Sequence, residues 1–460
     1  MPHVKNLRNY SGYFYTIDPF FSDENFLTKL NNRTSGIAGP ILVDGAKRDQ
    51  TVWAGDMGVS LPTGFVSTND LFPARNSLST SLSLQDPTTG ALPFAGPPVY
   101  GYVSDTYHAW TLLGAYNYYL YSGDITWLRT SWNNYTKAVA YLANKVDSSG
   151  LLDVTGIEDW GRLWQGDYNS EANAIYYKAS SWLLHVVELA GYMNDSSLAA
   201  TYANNASALK AMFNEKFWLS SAGMYRNNLT STMCPQDANL FAVLFSLTTS
   251  AEQASSVSEG LTKKWGAYGS VSPELPETVA PFIGSFEIQA HFLSGNDARA
   301  MELLHLEWGY MLYTPLSVQS TLLEGYTSNG SLYYRSYDGY NYDPSYTSHS
   351  HGWSTGPTYA FTFYVLGLTL TSPMGQTWSV APHTSGLSFA QGGFETPLGW
   401  FGVEWKSTGN SFTIARTMPE GTSGVVVLPI TGTITLDGNA VQQTGMLSID
   451  GGNHTVSVQE

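Results

Sequence analysis

The chain has 460 residues, a formal net charge of −16 and only 13% charged side chains. That length suits one large domain plus a small one, and the acidic balance argues against nucleic acid and anionic membranes, both of which need a basic footprint. A single cysteine, Cys234, excludes a disulfide framework within the chain and a CxxC metal site; its expected role is that of a small buried hydrophobe. In chain order, residues 1–43 are the hardest to place. SGYFYTIDPFF (11–21) reads as a strand or extended arm and ENFLTKL (24–30) as a turn or two of helix, together an N-terminal arm or the remnant of a β-module. From about residue 50 to 372 the chain reads as paired helices. The run 105–123 has apolar residues at helical spacing, Gly123 suits its C-terminus, and Asp124 is a plausible N-cap for its partner, 124–146. The plan recurs in 171–193 with 196–218, 236–247 with 251–265, and 283–295 with 296–312, and a further helix is expected over 353–368. Short connections imply antiparallel neighbours. Repeated helical hairpins mean a solenoid or a closed toroid, and the lack of a strict repeat disfavours an open array. Near residue 373 the pattern changes to alternation bounded by Gly, Pro and Asp-Gly, which reads as a small antiparallel sandwich with Asp437-Gly438 as a hairpin turn.

Aromatic residues make up 14% of the chain, with 30 Tyr and 14 Trp. Helix packing accounts for most of them, and a surplus with polar handles suits a cleft that stacks on sugar rings. Three stretches could carry chemistry. In VDGAKRDQTVWAGDMG (43–58), Asp44, Lys47, Arg48, Asp49, Trp53 and Asp56 crowd together in a charge-poor chain. If the stretch from Asp49 is helical, Asp49, Trp53 and Asp56 share one face. Two carboxylates beside an indole would form a sugar-binding wall, and such a carboxyl is pushed toward the protonated form a general acid needs. The plainer reading is a solvated turn with Asp56 as a cap. In 321–357, Glu324 precedes the most aromatic loop of the chain, which ends in His349, His351 and Trp353. In 156–173, Glu158, Asp159, Trp160, Trp164 and Asp167 suit sugar contacts; the plainer reading is helix capping by Asp167 or Ser170 and burial of both Trp. Tyr107 and His108, at the start of the 105–123 helix, are added as candidate substrate contacts. HExxH and GxxxxGK[ST] do not occur. GxSxG occurs once, as residues 352–356, but polar, Tyr- and Ser-rich sequence precedes it where a nucleophile elbow needs a strand. His349 and His351 have no third metal ligand nearby, so no metal and no cofactor are expected.

The run DGAKRDQTVWAGD resembles the signature of the glycoside hydrolase family 78 α-L-rhamnosidases: Asp44, an acidic residue after Arg at Asp49, then Trp53 and Asp56. The resemblance implies a mainly α chain, an (α/α)6 six-hairpin barrel over 44–372 followed by a small C-terminal antiparallel β-sandwich over 373–460. It implies Asp49 as general acid, with Asp44 and Asp56 on the sugar hydroxyls. The TLLE segment is similar to the family's general-base segment, which would make Glu324 the base that activates water. His351 before Gly352-Trp353 and the Trp160 of EDWGRLW look like further substrate contacts of the family, and GGFETPLGWFGVEW looks like its closing β-sandwich. The chain departs from the pattern with Asp at the acid position, where many members have Glu, and in lacking most of the family's N-terminal β-sandwich modules. The implied activity is inverting release of terminal α-L-rhamnose, with the two carboxyl groups roughly 6.5–9.5 Å apart. Alternatives are a related six-hairpin enzyme on another sugar, a hydrolase or lyase of a rhamnose–uronate linkage, and a catalytically silent sugar-binding protein. Sequons at Asn32, Asn134, Asn194, Asn205, Asn228, Asn329 and Asn453 lean toward a secreted glycoprotein, and the resemblance extends to a fungal-type secreted member of the family. No signal peptide is recognisable in MPHVKNLRNYSG, and no apolar run reaches the roughly 20 residues that span a bilayer.

Overall fold

The computed structural model describes residues 39–46, 49–97, 99–189, 196–335, 342–442 and 445–460, with side chains left out of account over 182–189, 196–199 and at 202. The expected strand and helix before residue 31, Arg48 and the sequons at Asn32 and Asn194 therefore lie outside the described residues. The helical part comprises α1 Met57–Ser67, α2 Phe72–Ser83, α3 Asp105–Ser122, α4 Ile125–Ala143, α5 Ser170–Leu189, α6 Ser196–Phe217, α7 Gln236–Leu244, α8 Ala251–Thr262, α9 Pro281–Leu293, α10 Asp297–Tyr313 and α11 Gly356–Ala360.

Local chemistry sets the hairpins. Gly123 ends α3 at φ 64°, a left-handed conformation in which its N–H donates to Tyr119 O, and the Asp124 side chain accepts from Trp127 N to start α4. The expected helix over 353–368 breaks up instead. A 3-10 turn (Gly352–Ser354) precedes α11, which starts at Gly356-Pro357 because Pro has no N–H to continue a helix and a φ suited to its first turn; a π-turn over Phe361–Val365 follows. The α1/α2 hairpin falls where the sequence offers few helical signals, since α1 carries Pro62 in its interior.

Two kinds of helix alternate. Nearly every residue of α3 and of α9 is buried. Their partners bury one stripe each, Trp127, Leu128, Tyr135, Ala138, Val139 and Leu142 on α4 and Ala300, Leu303, Glu307, Trp308 and Met311 on α10. The odd-numbered helices touch in a closed circuit, α1–α3–α5–α7–α9–α11 and back to α1, while α4, α6, α8 and α10 each pack against the odd-numbered helix before them and α2 packs against α3. A helix buried all round belongs inside the ring and an amphipathic one outside it. Every segment that leads into an inner helix thus lies at one end of the ring. Short ribbons stiffen those segments: β1 Trp218–Leu219 with β2 Met224–Tyr225, β3 Trp265–Gly266 with β4 Gly269–Ser270, and β5 Thr278–Val279 with β6 Tyr326–Thr327. Among the described residues no helix is long and apolar enough to cross a membrane.

The C-terminal strands β7 Leu368–Leu370, β8 Thr377–Val380, β9 Phe389–Thr396, β10 Gly399–Thr408, β11 Ser411–Val427, β12 Thr433–Leu436, β13 Asn439–Ala440 and β14 Met446–Gln459 form one hydrogen-bonded network in the order β13-β12-β14-β11-β10-β9, with β8 on β11 and β7 on β8. The all-antiparallel expectation fails at one pair, since β8 runs parallel to β11. β11 and β14 stay paired through a register shift between Met418 and Ser423, so two long strands carry the sheet round a bend. Asp437 and Gly438, at φ 51° and 82°, form the two-residue turn that joins β12 to β13. Trp405 Nε1 donates to Val365 O and His383 Nδ1 stands 2.8 Å from Asp297 Oδ1, which ties the sheet to the helices.

Candidate active site

A cavity of about 230 Å³ opens at the end of the ring where the inner helices begin. Its wall is built from chain segments far apart in sequence. Asp44 closes its own loop, its N–H donating to Thr51 O and its Oδ1 accepting from Thr51 N. Residues 44–46 then run beside 350–352, with Ala46 N donating to Ser350 O and Gly352 N to Asp44 O. Glu324 is held from the same side, its Oε2 accepting from Ser348 N and its carbonyl from Trp353 Nε1. Trp353 stacks on Phe282 with ring centroids 5.1 Å apart.

Asp49, Trp53 and Asp56 all line the cavity, although the helix expected to align them is absent. Residues 49–55 are turn and bridge, with Gln50 at φ 49°, and α1 begins only at Met57. Trp53 is set by a β-bridge to Ala95 and by Phe94 and Tyr107, whose ring centroids lie 5.1 and 6.0 Å away. A Cβ on Gly55 would stand 2.3 Å from the Tyr107 ring, so only glycine lets this loop lie on that tyrosine. Asp56 precedes α1 without capping it through its side chain. Its Oδ1 stands 3.1 Å from His351 Nε2 instead.

The electrostatics follow from burial. Burial pushes the Asp44 carboxyl up to about 8, with Asp56 and Asp49 adding to the rise and His351 opposing it. Burial raises Asp56 as well, against the pull of His351. For His351 burial works against the charge, yet Glu324, Asp56 and Asp44 together raise it above its ordinary value. An imidazolium among carboxylates, of which Asp44 holds a proton, is the arrangement this gives. Asp44 Oδ2 and Trp53 Nε1 have no hydrogen-bond partner among the described residues, and a protonated carboxyl oxygen and an indole N–H are both donors suited to sugar hydroxyls.

The structure brings together Asp44, Asp49, Trp53, Asp56, Tyr107, Asp159, Trp160, Glu324, His351 and Trp353 on the cavity wall. It does not bring His108 or Trp164 there. His108 is buried, its Nδ1 accepting from Leu92 N and its Nε2 facing Ala138 O at 2.8 Å, and burial lowers its pKa to about 4. It is a neutral strut between segments. Trp164 is 56% exposed, at φ 61° in a turn off the cavity. The cap of α5 is Asn169, whose Oδ1 accepts from Ala172 N, rather than Asp167 or Ser170. Ser354, the central residue of the GxSxG match, is buried and donates to Leu323 O.

The cavity also has walls that the sequence reading did not propose: Phe94, Val99, Ser104, Arg335 and Tyr346. Arg335 is one of only 21 basic residues in the chain and stands in the same Tyr-rich loop as His351, a signal that could have drawn notice. The others carry none. Behind the wall, Trp160 Nε1 donates to Asp237 Oδ2, and Arg162 Nη1 lies 2.9 Å from Glu171 and 3.0 Å from Asp237. Among the described residues no group of three or more His, Cys, Asp or Glu side chains is arranged to hold a metal ion.

Residues 26–272 match the family model described as the bacterial alpha-L-rhamnosidase 6 hairpin glycosidase domain, and residues 367–440 the bacterial alpha-L-rhamnosidase C-terminal domain. Among solved structures, the chain is similar to an alpha-L-rhamnosidase from Dictyoglumus thermophilum, with a TM-score of 0.70 and 18% identity over 91% of this chain and 47% of that one. A Streptomyces avermitilis alpha-L-rhamnosidase complexed with L-rhamnose gives 0.68 and 16% over 91% and 39%. An Aspergillus terreus alpha-L-rhamnosidase gives 0.68 and 18% over 91% and 47%. At such identities the likeness is one of fold, and the chain spans about half the length of these proteins or less. No curated protein matches it in sequence.

Proposed function

The chain belongs to the family of bacterial α-L-rhamnosidase six-hairpin glycosidase domains, and on that premise we propose that it hydrolyses terminal α-L-rhamnosides in one displacement that inverts the anomeric centre. The observation that carries this is the meeting of Asp49 and Glu324, remote in sequence, on one cavity whose wall is aromatic. Asp49 gives its proton to the glycosidic oxygen as the bond from the anomeric carbon breaks. Glu324 takes a proton from the water that attacks the opposite face, so the products are rhamnose and the free alcohol. The reading requires the two carboxyl groups to stand roughly 6.5–9.5 Å apart, with room for that water between them. Asp44, Asp56 and His351 hold the hydroxyls, Trp53, Tyr107, Trp160 and Trp353 supply apolar faces, and the Trp53 indole N–H is a donor left free among the described residues. These steps balance without a cofactor.

The closed circuit of inner helices supports the (α/α)6 barrel expected over 44–372, except that β7, Leu368–Leu370, already pairs within the β domain that follows. Secretion with N-glycans belongs to the same proposal, at the exposed Asn205 and Asn453. Asn134 is less suited, because its amide nitrogen donates to Leu82 O. Release of p-nitrophenol from p-nitrophenyl α-L-rhamnopyranoside tests the function, with Asp49→Asn alongside. Release by the parent and its loss in the variant are expected. Equal release by both sinks the assignment of the acid, and a product with a new ultraviolet absorbance would make the enzyme a lyase.

A further inference from the structure

We propose that an open groove on the loop face, distinct from the cavity, binds a neutral oligosaccharide. That this glycan is the chain from which the cavity removes its terminal sugar rests on the function proposed above; the binding itself does not.

The groove encloses about 630 Å³. Tyr310 and Tyr313 reach it from the last turn of α10, Tyr268 from the segment before α9, and Asn329 and Gly330 from the segment before α11. Tyr268 packs against Tyr310, and Tyr310 against Tyr326, with ring centroids 4.8 and 4.5 Å apart. Tyr326 in turn donates its hydroxyl to Tyr268 O. The tyrosines therefore form a braced floor. Tyr313, at the edge, is 82% exposed. Such a ring offers an apolar face and a hydroxyl together, the two contacts a pyranose asks for.

The lining excludes charged ligands as its natural occupant. No Asp, Glu, Lys or Arg lines the groove, in a chain whose net charge is −16, so nothing there would pay for desolvating an anion or a cation. Its polar groups are phenols, Thr314, His305 and the Asn329 amide.

One stretch of chain runs from the cavity wall to the groove wall. Glu324 and Arg335 line the cavity. Between them the chain runs outward as β6, paired to β5, and turns back where Gly330 N donates to Thr327 O and Thr327 N to Ser331 O. The tip of that turn, Asn329 and Gly330, is groove wall. A glycan seated on the tyrosines thus touches the tip of the hairpin that begins at Glu324.

Native affinity electrophoresis tests the proposal, in gels containing a neutral arabinogalactan or, in parallel, a neutral xylan. The protein is made in a bacterial host, so that the Asn329 sequon carries no glycan. Retardation is expected in at least one gel, unaffected by saturating L-rhamnose. Tyr313→Ala should weaken it by about tenfold in apparent Kd, the value of one good ring contact, while turnover of a small aryl rhamnoside stays unchanged. Tyr268→Ala should act in the same direction. The proposal is overturned by no retardation in either gel, by reversal with L-rhamnose, or by both variants migrating as the parent does. It is overturned equally if the parent is a dimer in solution that Tyr313→Ala dissociates, since the groove would then be an interface between copies. Retardation lost in Tyr313→Ala, in a protein that turns over no rhamnoside, would overturn the proposed function and leave the groove standing.

Discussion

Trp160 lines the cavity and donates its indole N–H to Asp237, so it stands between two groups of buried carboxylates that the protein treats differently. In front, Asp44, Asp56 and Glu324 share the His351 imidazole. Behind, Glu171, Asp237 and Glu274 surround Arg162, with Asp159 at their edge. Burial raises acids in both groups, Asp44 and Glu274 each to about 8. A perturbed pKa alone therefore does not mark the site. What separates the groups is where the oxygens go. Glu274 accepts from Gln236 N and Asp237 N, and Asp237 from Arg162 and Trp160, so these two rear carboxylates spend their oxygens on the protein itself. The front group borders open space. The rear group supports the wall; the front one is placed to act on what enters.

Substitutions can break this contrast. The largest effect belongs to the front: Glu324→Gln should lower kcat/KM by roughly 10²–10⁴, the range for losing one general acid or base, measured on an aryl rhamnoside. Next is the rear. Arg162→Met should cost about 3–5 kcal/mol in urea unfolding, because it strips buried acids of their counter-charge. The loss should be greater near pH 8 than near pH 5, since acids that take up protons need no partner. A loss independent of pH would mean that the rear group is not held by charge. Third, folded Asp44 keeps its proton up to about 8, whereas the unfolded group ionises near 3.8. The folded state thus binds the extra proton over that window, and the stability Asp44 confers is complete below it and declines as pH rises through it. Asp44→Asn should flatten that decline in thermal midpoints measured from acid to mildly alkaline pH. The smallest effect lies away from both groups. Gly438→Ala, at φ 82° in the β12–β13 turn, should lower stability by about 1 kcal/mol and leave turnover intact.

How much of this was legible in the sequence depended on the range of the interactions. The Gly123-Asp124 junction and the Asp437-Gly438 turn were readable because a cap or a tight turn is decided by adjacent residues. The α1/α2 hairpin was not, because a helix buried on most sides has no polar face to set its period and Pro62 argues locally against it. Asp49, Trp53 and Asp56 do meet, but through a loop tied by Asp44 and Thr51 and laid on Tyr107, contacts no helical wheel contains. Asp56 with His351 is a pair formed by ring closure, and Trp160 with Asp237 is one formed between neighbouring hairpins, so nothing near either partner announces them. His108 was misjudged for the converse reason. A histidine among aromatic residues looks the same in sequence whether it faces a ligand or spans Leu92 and Ala138.

Inversion at the anomeric carbon follows if Asp49 and Glu324 act on opposite faces of a rhamnosidic bond, as proposed. Proton NMR of the sugar released in the first minutes of hydrolysis, before mutarotation, tests it most directly, with Glu324→Gln run alongside. β-L-rhamnose is expected as the first product of the parent, with no release by the variant. The α-anomer appearing first, or release by Glu324→Gln at the parental rate, would contradict it.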